Sequence, residues 1–309
     1  MKDIGVVIVT FNSSNHINDC LNSLLIDNSN NISRVIVVDN HSEDNTKEIV
    51  IKNFPQINFI ENSKNLGYAK AVNIGMERLK ERYCLIANPD TIFKSNSLDN
   101  LKNIIQSDQA IGVTGGQQIY GDGIWQRSYG NYPGLKDALL NLIFITSLTN
   151  LYQRFKFKYF GNSKAKYVSY IDGGAILVRN EAFKEVNGFK EDYFFYAEEA
   201  DFAYRLKKNK WKIVFEPKAH IFHVRGGSST KVNNKTKYFQ ELLVRSKILF
   251  IKLNSPRTSK NLFVLLEYLH NIKMYFIYKL IFNLSQKADY DMKAKLFKNF
   301  SKIWKQEFK

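Results

Sequence analysis

Alternating strands and helices in the first ninety residues constrain the fold of this chain more than any other feature. Short β-branched or aromatic runs predict strands at 6–10, 34–39, 57–61 and 83–87. Helical stretches separate them, near 16–26, 43–53 and 68–82. Strands and helices that alternate at this spacing form βαβ units around a mostly parallel sheet. We therefore expect an α/β fold with a mixed, mainly parallel central sheet.

The rest of the chain predicts a second set of elements. These are strands at 167–170, 175–178 and 212–215, a helix at 199–208, and an apolar segment compatible with a helix at 135–152. From Lys235 onwards the pattern is that of amphipathic helices, with a break at Pro256. We expect residues 1–229 to form the α/β domain and residues 230–309 to form a basic helical extension packed on it.

Positive charge is concentrated towards the carboxyl end. The 309 residues contain 45 Lys and Arg against 29 Asp and Glu, a net charge of +16. Residues 230–309 hold 17 basic and 5 acidic residues, which accounts for +12 of that charge. This division suggests two parts with different partners. A hydrophobic content of 44% excludes a globally disordered chain.

Hydropathy and cysteine content predict a cytoplasmic protein. No apolar run reaches the ~18–20 residues of a membrane span, and charged residues interrupt the nearest candidate at 262–282. The residues after Met1 have no signal-peptide pattern. Cys20 lies on a predicted helix and Cys84 in a predicted strand, so they indicate neither a disulfide framework nor a metal cluster.

Polar residues follow each predicted strand of the first region, at 10–12, 39–40, 62–67 and 88–90. Ligands of open parallel sheets bind beyond the carboxyl ends of the strands, so these residues are candidates for a site. Asp39 has two interpretations. It accepts from a ribose hydroxyl or a base N–H, or it is a turn or N-cap residue in competition with Ser42 and Asp44.

Asn88-Pro89-Asp90 closes the fourth predicted strand. Pro89 blocks further ladder pairing, so Asp90 should project beyond the edge of the sheet. A carboxylate at this place suits a hard divalent cation that also holds a diphosphate. The same tripeptide is also ordinary turn chemistry, and the alternative stays open.

Acidic residues follow the aromatic run 193–196. Glu198, Glu199 and Asp201 lie beside apolar bulk, which should raise at least one carboxyl pKa, as suits a general base. The alternative is an acidic helix N-terminus stabilised by the helix dipole. Helical periodicity puts Glu199 and Asp201 on different faces, so a shared role does not follow.

His220 and His223 precede a Gly- and Ser-rich segment that contains Arg225. An imidazole with such a loop could meet a phosphate or complete a metal site, although a lone His is more often structural. Strand alternation turns the two His to opposite faces, so at most one should point into a site. The sequence lacks G-x-G-x-x-G after the first strand, G-x-x-x-x-G-K-[ST] and G-x-S-x-G. Dehydrogenase, P-loop and nucleophile-elbow chemistries are therefore disfavoured.

The order of the motifs is more specific than any one of them. Seven blocks follow one another: Val7 to Asn12, Val37 to Asn40, Asn65 to Ala69 with Asn73 and Gly75, Asn88 to Asp90, Gly173 to Arg179 with Gly188 and Phe189, Glu198 to Phe202 with Arg205, and His223 with Gly226 and Ser228. In this order they resemble the family 2 glycosyltransferases, nucleotide-sugar-dependent enzymes with a GT-A fold, over roughly residues 4–230. The Asn-Pro-Asp form looks most like the bacterial rhamnosyltransferase branch.

The resemblance implies roles for individual residues. Glu199 falls at the position of the catalytic base, and Asp90 and His223 fall where the family holds Mg²⁺ or Mn²⁺. The nucleotide-sugar donor would be bound by Thr10, Asn12, Asp39, Asn65, Gly67, Lys70, Asn73, Asn88 and Asp90. We expect the acceptor side to include Gly174, Glu198 and Trp125, with Gln126 and Arg127 beside the last.

The implied reaction is displacement at an anomeric carbon with inversion. Glu199 would remove a proton from the acceptor hydroxyl while a metal on Asp90 stabilises the departing diphosphate. The implied donor is a dTDP- or UDP-linked sugar, rhamnose or another hexose. The implied acceptor is a glycan or lipid-linked glycan of bacterial surface polysaccharide.

Two positions depart from the family pattern. Asn88 replaces the second acid of D-x-D, so the metal site has one negative charge fewer. Glu199 stands in place of Asp at the base position, and Glu198 is its rival. These departures put the strictness of metal dependence and the identity of the base in question.

The basic tail interleaves Lys with aromatic and aliphatic residues, as in 275–282. Such helices dock on an anionic leaflet, where each Lys or Arg contributes ~1 kcal/mol, and a solvated helical cap is the alternative. We expect peripheral contact with the inner face of the membrane and no nucleic-acid partner. Two other functions stay open: a catalytically silent scaffold of a glycan assembly complex, and a basic nucleic-acid-binding protein.

Overall fold

A computed structural model describes residues 2–26, 28–121, 123–160, 164–224 and 233–308. The chain divides into two compact units. The first comprises Met1–Asn131 with Gln153–Thr230, and the second Tyr132–Tyr152 with Lys231–Lys309.

The strands are β1 Ile4–Thr10, β2 Ile32–Asp39, β3 Asn58–Glu61, β4 Tyr83–Ala87, β5 Thr91–Phe93, β6 Ile111–Ile119, β7 Tyr129–Gly130, β8 Lys166–Tyr167, β9 Tyr170–Ile171, β10 Ala175–Arg179 and β11 Lys212–His223. The helices are α1 Ile17–Leu25, α2 Thr46–Asn53, α3 Tyr68–Met76, α4 Ser97–Ser107, α5 Leu135–Leu142, α6 Ile145–Phe160, α7 Asn180–Glu185, α8 Glu198–Lys208, α9 Asn233–Asn254, α10 Arg257–Ser285 and α11 Ala288–Gln306.

The large sheet of the first unit has the strand order β3-β2-β1-β4-β10-β6-β11-β5, and β8 pairs with β11. The strands β1 to β4 are parallel neighbours, β10 is antiparallel to both β4 and β6, and β11 is parallel to β6. Because two antiparallel steps restore the direction, β4, β6 and β11 run the same way as β1. Their carboxyl ends therefore share one edge of the sheet, and the chain enters β10 at that edge.

The centre of this sheet is covered on both faces. Every residue of β1, β4, β6 and β10 is buried. The run Val35–Val38 of β2 is buried as well, as its continuous apolar pattern predicts. Such burial is typical of parallel strands between helical layers, and it confirms the expected α/β class with a mixed, mainly parallel sheet.

Most predicted elements are found within a few residues of their expected bounds. Differences occur where tertiary contacts intervene. The helix expected at 68–82 ends at Met76, and the strand expected at 167–170 is two short pairings on different partners, β8 on β11 and β9 on β7. The strand expected at 212–215 continues to His223, because it keeps pairing with β6 after an irregularity between Glu216 and His220.

The second unit is helical. Trp304 is fully buried and meets Phe263 edge-on, with ring centroids 5.7 Å apart, so α11 packs on α10. Lys273 of α10 donates to the carbonyl of Leu142, and its ammonium lies 3.6 Å from the centroid of the Phe144 ring. The predicted break at Pro256 separates α9 from α10. Among the described residues, no helix combines the length and hydropathy needed to cross a bilayer.

Cys20 lies on α1 and Cys84 in β4, as expected, and both thiols are free and buried. Burial raises the pKa of each to about 12. Thiols in such surroundings are chemically inert. The two cysteines therefore contribute packing.

Candidate active site

Asp90 and His223 meet at the shared carboxyl edge of the sheet. Asp90 follows β4, and His223 is the last residue of β11. His223 lies opposite Thr91 in the ladder between β11 and β5, and the Val224 amide donates to the Asp90 carbonyl at 3.1 Å. This pairing places Nε2 of His223 3.4 Å from Oδ1 of Asp90, with both side chains buried.

The Asp90 carboxyl is held in its ionised form. Burial raises its pKa, but the hydrogen bond from His223 and the charge of that imidazole together outweigh burial and set the pKa below its usual value. A buried carboxylate at the end of a strand is thus available as a ligand or charge partner at neutral pH.

The other ring nitrogen of His223 is bound by two buried glutamines. Nδ1 lies 2.8 Å from Oε1 of Gln118 and 3.1 Å from Oε1 of Gln126. Sequence analysis did not assign Gln118 to the site, and it placed Gln126 beside the acceptor. The available signal is the polar pair Gln117-Gln118 inside β6, a strand that is buried throughout.

Two adjacent glycines connect Glu199 to this pair. A β-carbon on Gly173 would lie 1.6 Å from Oε1 of Glu199, and one on Gly174 would lie 2.9 Å from Nδ1 of His223. The Asn88 amide donates to the Gly174 carbonyl at 2.9 Å, which ties the dipeptide to the end of β4. The predicted base and the predicted metal ligands therefore flank Gly173-Gly174.

The acidic run at the start of α8 separates into three environments. Glu199 lies against Gly173, whereas the buried Asp201 pairs with Arg205 at 2.6 Å, so the two occupy different faces as predicted. Glu198 is 1% exposed, and its Oε2 has no hydrogen-bond partner in the described part of the chain. Burial, followed by the charge of Glu199, raises the pKa of Glu198 well above its usual value and so favours its protonated form.

Backbone strain precedes these carboxyls. Tyr196 and Ala197 both adopt left-handed conformations, with φ of 72° and 66°. Non-glycine residues in this region cost about 1–3 kcal/mol each and cluster at functional sites. The strain sets the direction from which Glu198 and Glu199 enter α8.

Tyr68 belongs to the same site and was missed. It begins α3, and its ring meets Phe195 edge-on at 6.0 Å. Burial and then the charges of Glu199, Glu198 and Asp90 raise the pKa of the Tyr68 hydroxyl well above its usual value. Its signal in the sequence is an aromatic residue directly after Gly67.

Asp39 lies buried at the end of β2, and its carboxylate accepts several hydrogen bonds. Its carboxylate accepts from the Thr10 hydroxyl at 2.6 Å, the Ser42 hydroxyl at 2.6 Å and the Ser42 amide at 2.8 Å, and it is 1% exposed. Asn12 joins the same turn, because its Oδ1 accepts from the Glu43 amide at 2.8 Å. These contacts correspond to the turn interpretation of Asp39, and its contact with a base stays a prediction.

The predicted donor-binding residues of α3 bind other parts of the protein. Asn73 exchanges two hydrogen bonds with the backbone of Phe189, at 2.8 and 3.0 Å. Lys70 pairs with Glu191 at 2.8 Å. Asn65 accepts from the Gly67 amide at 3.0 Å and so orders the turn before the helix. Lys70 and Asn73 thus fasten α3 to the segment that leads to the strained residues before α8.

The other predicted residues lie around this centre. Trp125 is buried and forms an isolated bridge with Ile119, while Arg127 pairs with Asp172 at 3.0 Å. Burial and the charge of Lys94 lower the pKa of His220, which lies in the strand before His223. The predicted contributions of Arg225, Gly226 and Ser228 lie outside the described residues.

Asp90 and His223 fit a divalent cation with two protein ligands. Two ligand atoms about 2.1 Å from one ion are about 3.0–3.4 Å apart at angles near 90–110°, which agrees with the observed separation of 3.4 Å. No group of three or more His, Cys, Asp or Glu that could hold a metal occurs in the described ranges. Mg²⁺ is commonly held by one or two protein ligands together with substrate phosphates, and this donor set suits that arrangement.

Residues 5–186, more than half of the chain, match the sequence profile of glycosyl transferase family 2. The chain belongs to this family. Residues 153–226 also match the profile described as the N-terminal domain of galactosyltransferase. The chain is thus a glycosyltransferase, and its membership of the family accounts for the order of the sequence motifs.

Curated relatives place it near rhamnosyltransferases. An N-acetylglucosaminyl-diphospho-decaprenol L-rhamnosyltransferase of Mycobacterium tuberculosis is 28% identical over 246 residues, which cover 74% of this chain and 78% of the relative. The rhamnosyltransferase WbbL of Escherichia coli is 24% identical over 230 residues, which cover 71% and 83%. These matches confirm the resemblance to the rhamnosyltransferase-like branch.

Solved structures confirm the GT-A fold. A mannosyltransferase from Pyrobaculum calidifontis, in complex with GDP-Man and Mn²⁺, superposes with a TM-score of 0.62 at 12% identity and covers 99% of this chain and 86% of that one. GalNAc-T7 with UDP, GalNAc and Mn²⁺ gives a TM-score of 0.58 at 13% identity, over 81% of this chain. The family 2 chain spans only 47% of the GalNAc-T7 chain.

Proposed function

We propose that the enzyme transfers rhamnose or another hexose, with inversion, from a dTDP- or UDP-linked donor to a glycan or lipid-linked glycan in bacterial surface polysaccharide synthesis. The observation that carries this proposal is the Gly173-Gly174 dipeptide, which has Glu199 on one side and the Asp90–His223 pair on the other. The rhamnosyltransferase relatives support the sugar, and the diphospho-decaprenol in the name of one supports a lipid-linked acceptor.

Glu199 is the general base in this proposal. Its carboxyl lies against Gly173 at the edge of the sheet, whereas the neighbouring Glu198 is 1% exposed and has a raised pKa. A general base must reach the proton that it removes, so the enclosure of Glu198 favours Glu199. Asp201 is engaged by Arg205 and takes no part.

Asp90 and His223 would hold Mg²⁺ or Mn²⁺. Such an ion supplies positive charge to the leaving diphosphate. The carboxylate of Asp90 contributes the negative charge of the site, and Asn88 supplies none. We therefore expect weaker metal affinity than in a site with two acids.

A thermal-shift panel tests the donor half of the proposal. UDP, dTDP, GDP, CDP and NAD⁺ are each added with and without Mn²⁺. A nucleotide at ~100 times its Kd adds about 2.7 kcal/mol, which raises the melting temperature by several degrees. A shift with UDP or dTDP that grows with Mn²⁺ supports the proposal, and no shift with any nucleotide contradicts it.

Peripheral membrane contact is the second part of the proposal, and the second unit carries it. A stripe along one side of α10 exposes Leu262, Leu265, Leu269, Phe276, Leu280 and Leu284. Phe276, Leu280 and Leu284 are 63%, 60% and 78% exposed. The six residues are three, four or seven positions apart, a helical spacing that aligns them along about 33 Å of one side of the helix.

The charge around this stripe favours an anionic lipid surface over a second copy of the chain. Residues 230–309 carry +12, so two copies would repel each other. An acidic leaflet would instead attract the lysines while the apolar stripe enters the acyl boundary. A lipid-linked acceptor would then lie in the same membrane.

Vesicle flotation tests this contact. We expect the protein to float with phosphatidylglycerol vesicles and to remain unbound with phosphatidylcholine. Replacement of Phe276, Leu280 and Leu284 by Gln should abolish flotation. Ile51→Gln, at an exposed apolar position of the first unit, should not. Equal flotation of the wild type and the triple variant would contradict the contact.

A further inference from the structure

Gln118 and Gln126 reach His223 with their amide orientation already fixed. Nε2 of Gln118 donates to the Asp172 carbonyl at 2.6 Å, and Nε2 of Gln126 donates to the carbonyl of His223 at 3.2 Å. Because a carbonyl oxygen only accepts, each of these contacts requires the NH₂ end of the glutamine. The Oε1 end of both side chains must then face Nδ1 of His223.

Because two amide oxygens face Nδ1 of His223, this nitrogen can adopt only one protonation state. Oε1 of Gln118 and Oε1 of Gln126 lie 2.8 and 3.1 Å from Nδ1. Neither oxygen has a proton, so Nδ1 must carry it and donate to both. When the imidazole is charged, Nε2 also carries a proton and donates to Asp90, 3.4 Å away. When the imidazole is neutral, the one proton stays on Nδ1, and Nε2 has the lone pair.

A third glutamine, Gln117, lies fully buried beside these two. Gln117 donates through Nε2 to the carbonyls of Gln118 and Gln126, at 2.7 and 2.9 Å, and to the Ser128 hydroxyl at 2.9 Å. All three glutamines and Ser128 are at most 1% exposed. Groups so enclosed have little freedom to reverse, because a reversed amide would face a carbonyl with its own oxygen.

We infer that Gln118 and Gln126 are positioning residues that hold a proton on Nδ1 of His223 and so present Nε2 to the divalent cation. The inference rests on the proposed metal role of His223. Gly174 is part of the device, since a β-carbon there would lie 2.9 Å from Nδ1 and 3.0 Å from Gln118. Hydrogen bonds that orient a ligating His commonly raise metal affinity 10–100-fold.

Nitrogen NMR tests the inference without metal, nucleotide or turnover. The chain, labelled with ¹⁵N-histidine, is examined at about pH 8.5, roughly two units above the ordinary pKa of His. His223→Asn assigns the signal among the five His. We expect the Nδ1–H tautomer for His223. An Nε2–H tautomer in the wild type would overturn the inference without any variant.

Substitutions then separate positioning from packing. In Gln118→Met with Gln126→Met, Nδ1 loses both acceptors, so we expect the proton to move to Nε2 and donate to Asp90. Gln117→Met removes three hydrogen bonds of the same network but no contact with His223, and it should keep the Nδ1–H tautomer. If the double variant retains Nδ1–H, the glutamines do not determine the tautomer. Each single variant gives the same test with one acceptor removed, should the double variant fail to fold.

Mn²⁺ binding in the presence of UDP, measured by electron paramagnetic resonance, gives a second readout. We expect the double variant to bind Mn²⁺ about 10–100-fold more weakly, and Gln117→Met to bind like the wild type. A changed tautomer with unchanged Mn²⁺ affinity would overturn the link to the metal. A chain that shows the Nδ1–H tautomer and the Mn²⁺ effect but transfers no sugar would contradict the proposed function and support this inference.

Discussion

Gly173 lies so close to Glu199 that a β-carbon on the glycine would be 1.6 Å from Oε1 of the carboxylate. The chain enters β10 through this glycine and begins α8 next to Glu199. A β-carbon on Gly174 would lie 2.9 Å from Nδ1 of His223, so the dipeptide lies between the proposed base and a proposed metal ligand. The absence of side chains at these two positions is therefore a requirement of the site.

Gly173→Ala should displace the Glu199 carboxylate while nucleotide binding persists. A displacement of about 1 Å in a reacting group costs about 10²-fold in rate, so we expect a loss of that order in kcat. Steady-state transfer assays and nucleotide titrations measure the two effects. Gly121→Ala is the matched control, since nothing lies within 4 Å of the added carbon there. An unchanged kcat in Gly173→Ala would contradict the placement of Glu199.

Glu199→Gln should keep nucleotide binding and lose transfer. A general base contributes about 10²–10⁴-fold, and the amide removes this contribution without a change of volume. The neighbouring Glu198→Gln should transfer at close to the wild-type rate, because Glu198 is enclosed and its raised pKa favours the protonated form that the amide resembles. The opposite ranking of the two variants would make Glu198 the base.

The raised pKa of Glu198 predicts a dependence of stability on pH. Between the unfolded pKa of Glu198 and its raised folded pKa, the folded protein keeps a proton that the unfolded chain releases, so stability decreases as pH rises through this interval. The contribution is complete below that pKa and decreases by up to about 1.4 kcal/mol per pH unit above it. Urea unfolding at about pH 5 and about pH 8 should show Glu198→Gln gaining stability relative to the wild type at the higher pH. If the free energies of unfolding of the two proteins differ by the same amount at both pH values, the pKa of Glu198 is not raised in the folded protein.

Asp90→Ala should remove the part of UDP or dTDP binding that depends on Mn²⁺. Addition of a chelator to the wild type should produce the same weakened binding. Asp108→Ala, which removes an acid paired with Lys212, serves as the control and should leave the Mn²⁺ effect intact. Calorimetric titration of each variant with and without Mn²⁺ gives the comparison. Equal Mn²⁺ dependence in Asp90→Ala and the wild type would exclude Asp90 as a ligand.

Loss of the Asp39 carboxylate should reduce stability as well as nucleotide binding. Asp39→Ala leaves the buried Thr10 hydroxyl without its acceptor, and an unsatisfied buried donor costs about 1–3 kcal/mol. Urea unfolding measures this loss. If Asp39→Ala weakens nucleotide binding at full stability, the contact with the base outweighs the turn. If stability falls and the folded fraction binds nucleotide normally, Asp39 is a turn residue.

Local sequence patterns were sufficient for the fold class and for the positions of most elements. Hydrophobic periodicity and helix-breaking residues such as proline depend only on residues close in sequence. They therefore predicted the strands that end at Thr10, Asp39 and Ala87 and the break at Pro256. The order of the motifs was likewise sufficient for the family, because the residues that recur in it lie in short contiguous blocks.

Tertiary structure decided which side chains share the site. Asp90 and His223 meet because β5, which begins directly after Asp90, pairs with the end of β11, a pairing that no local pattern records. The pairing of β6 with β11 brings Gln118 to His223. Conversely, Lys70 and Asn73 are predicted from sequence to bind the donor, whereas in the fold they bind Glu191 and the backbone of Phe189. Burial and neighbouring charge, which depend on distance in space, raised the pKa of Glu198 and lowered that of Asp90.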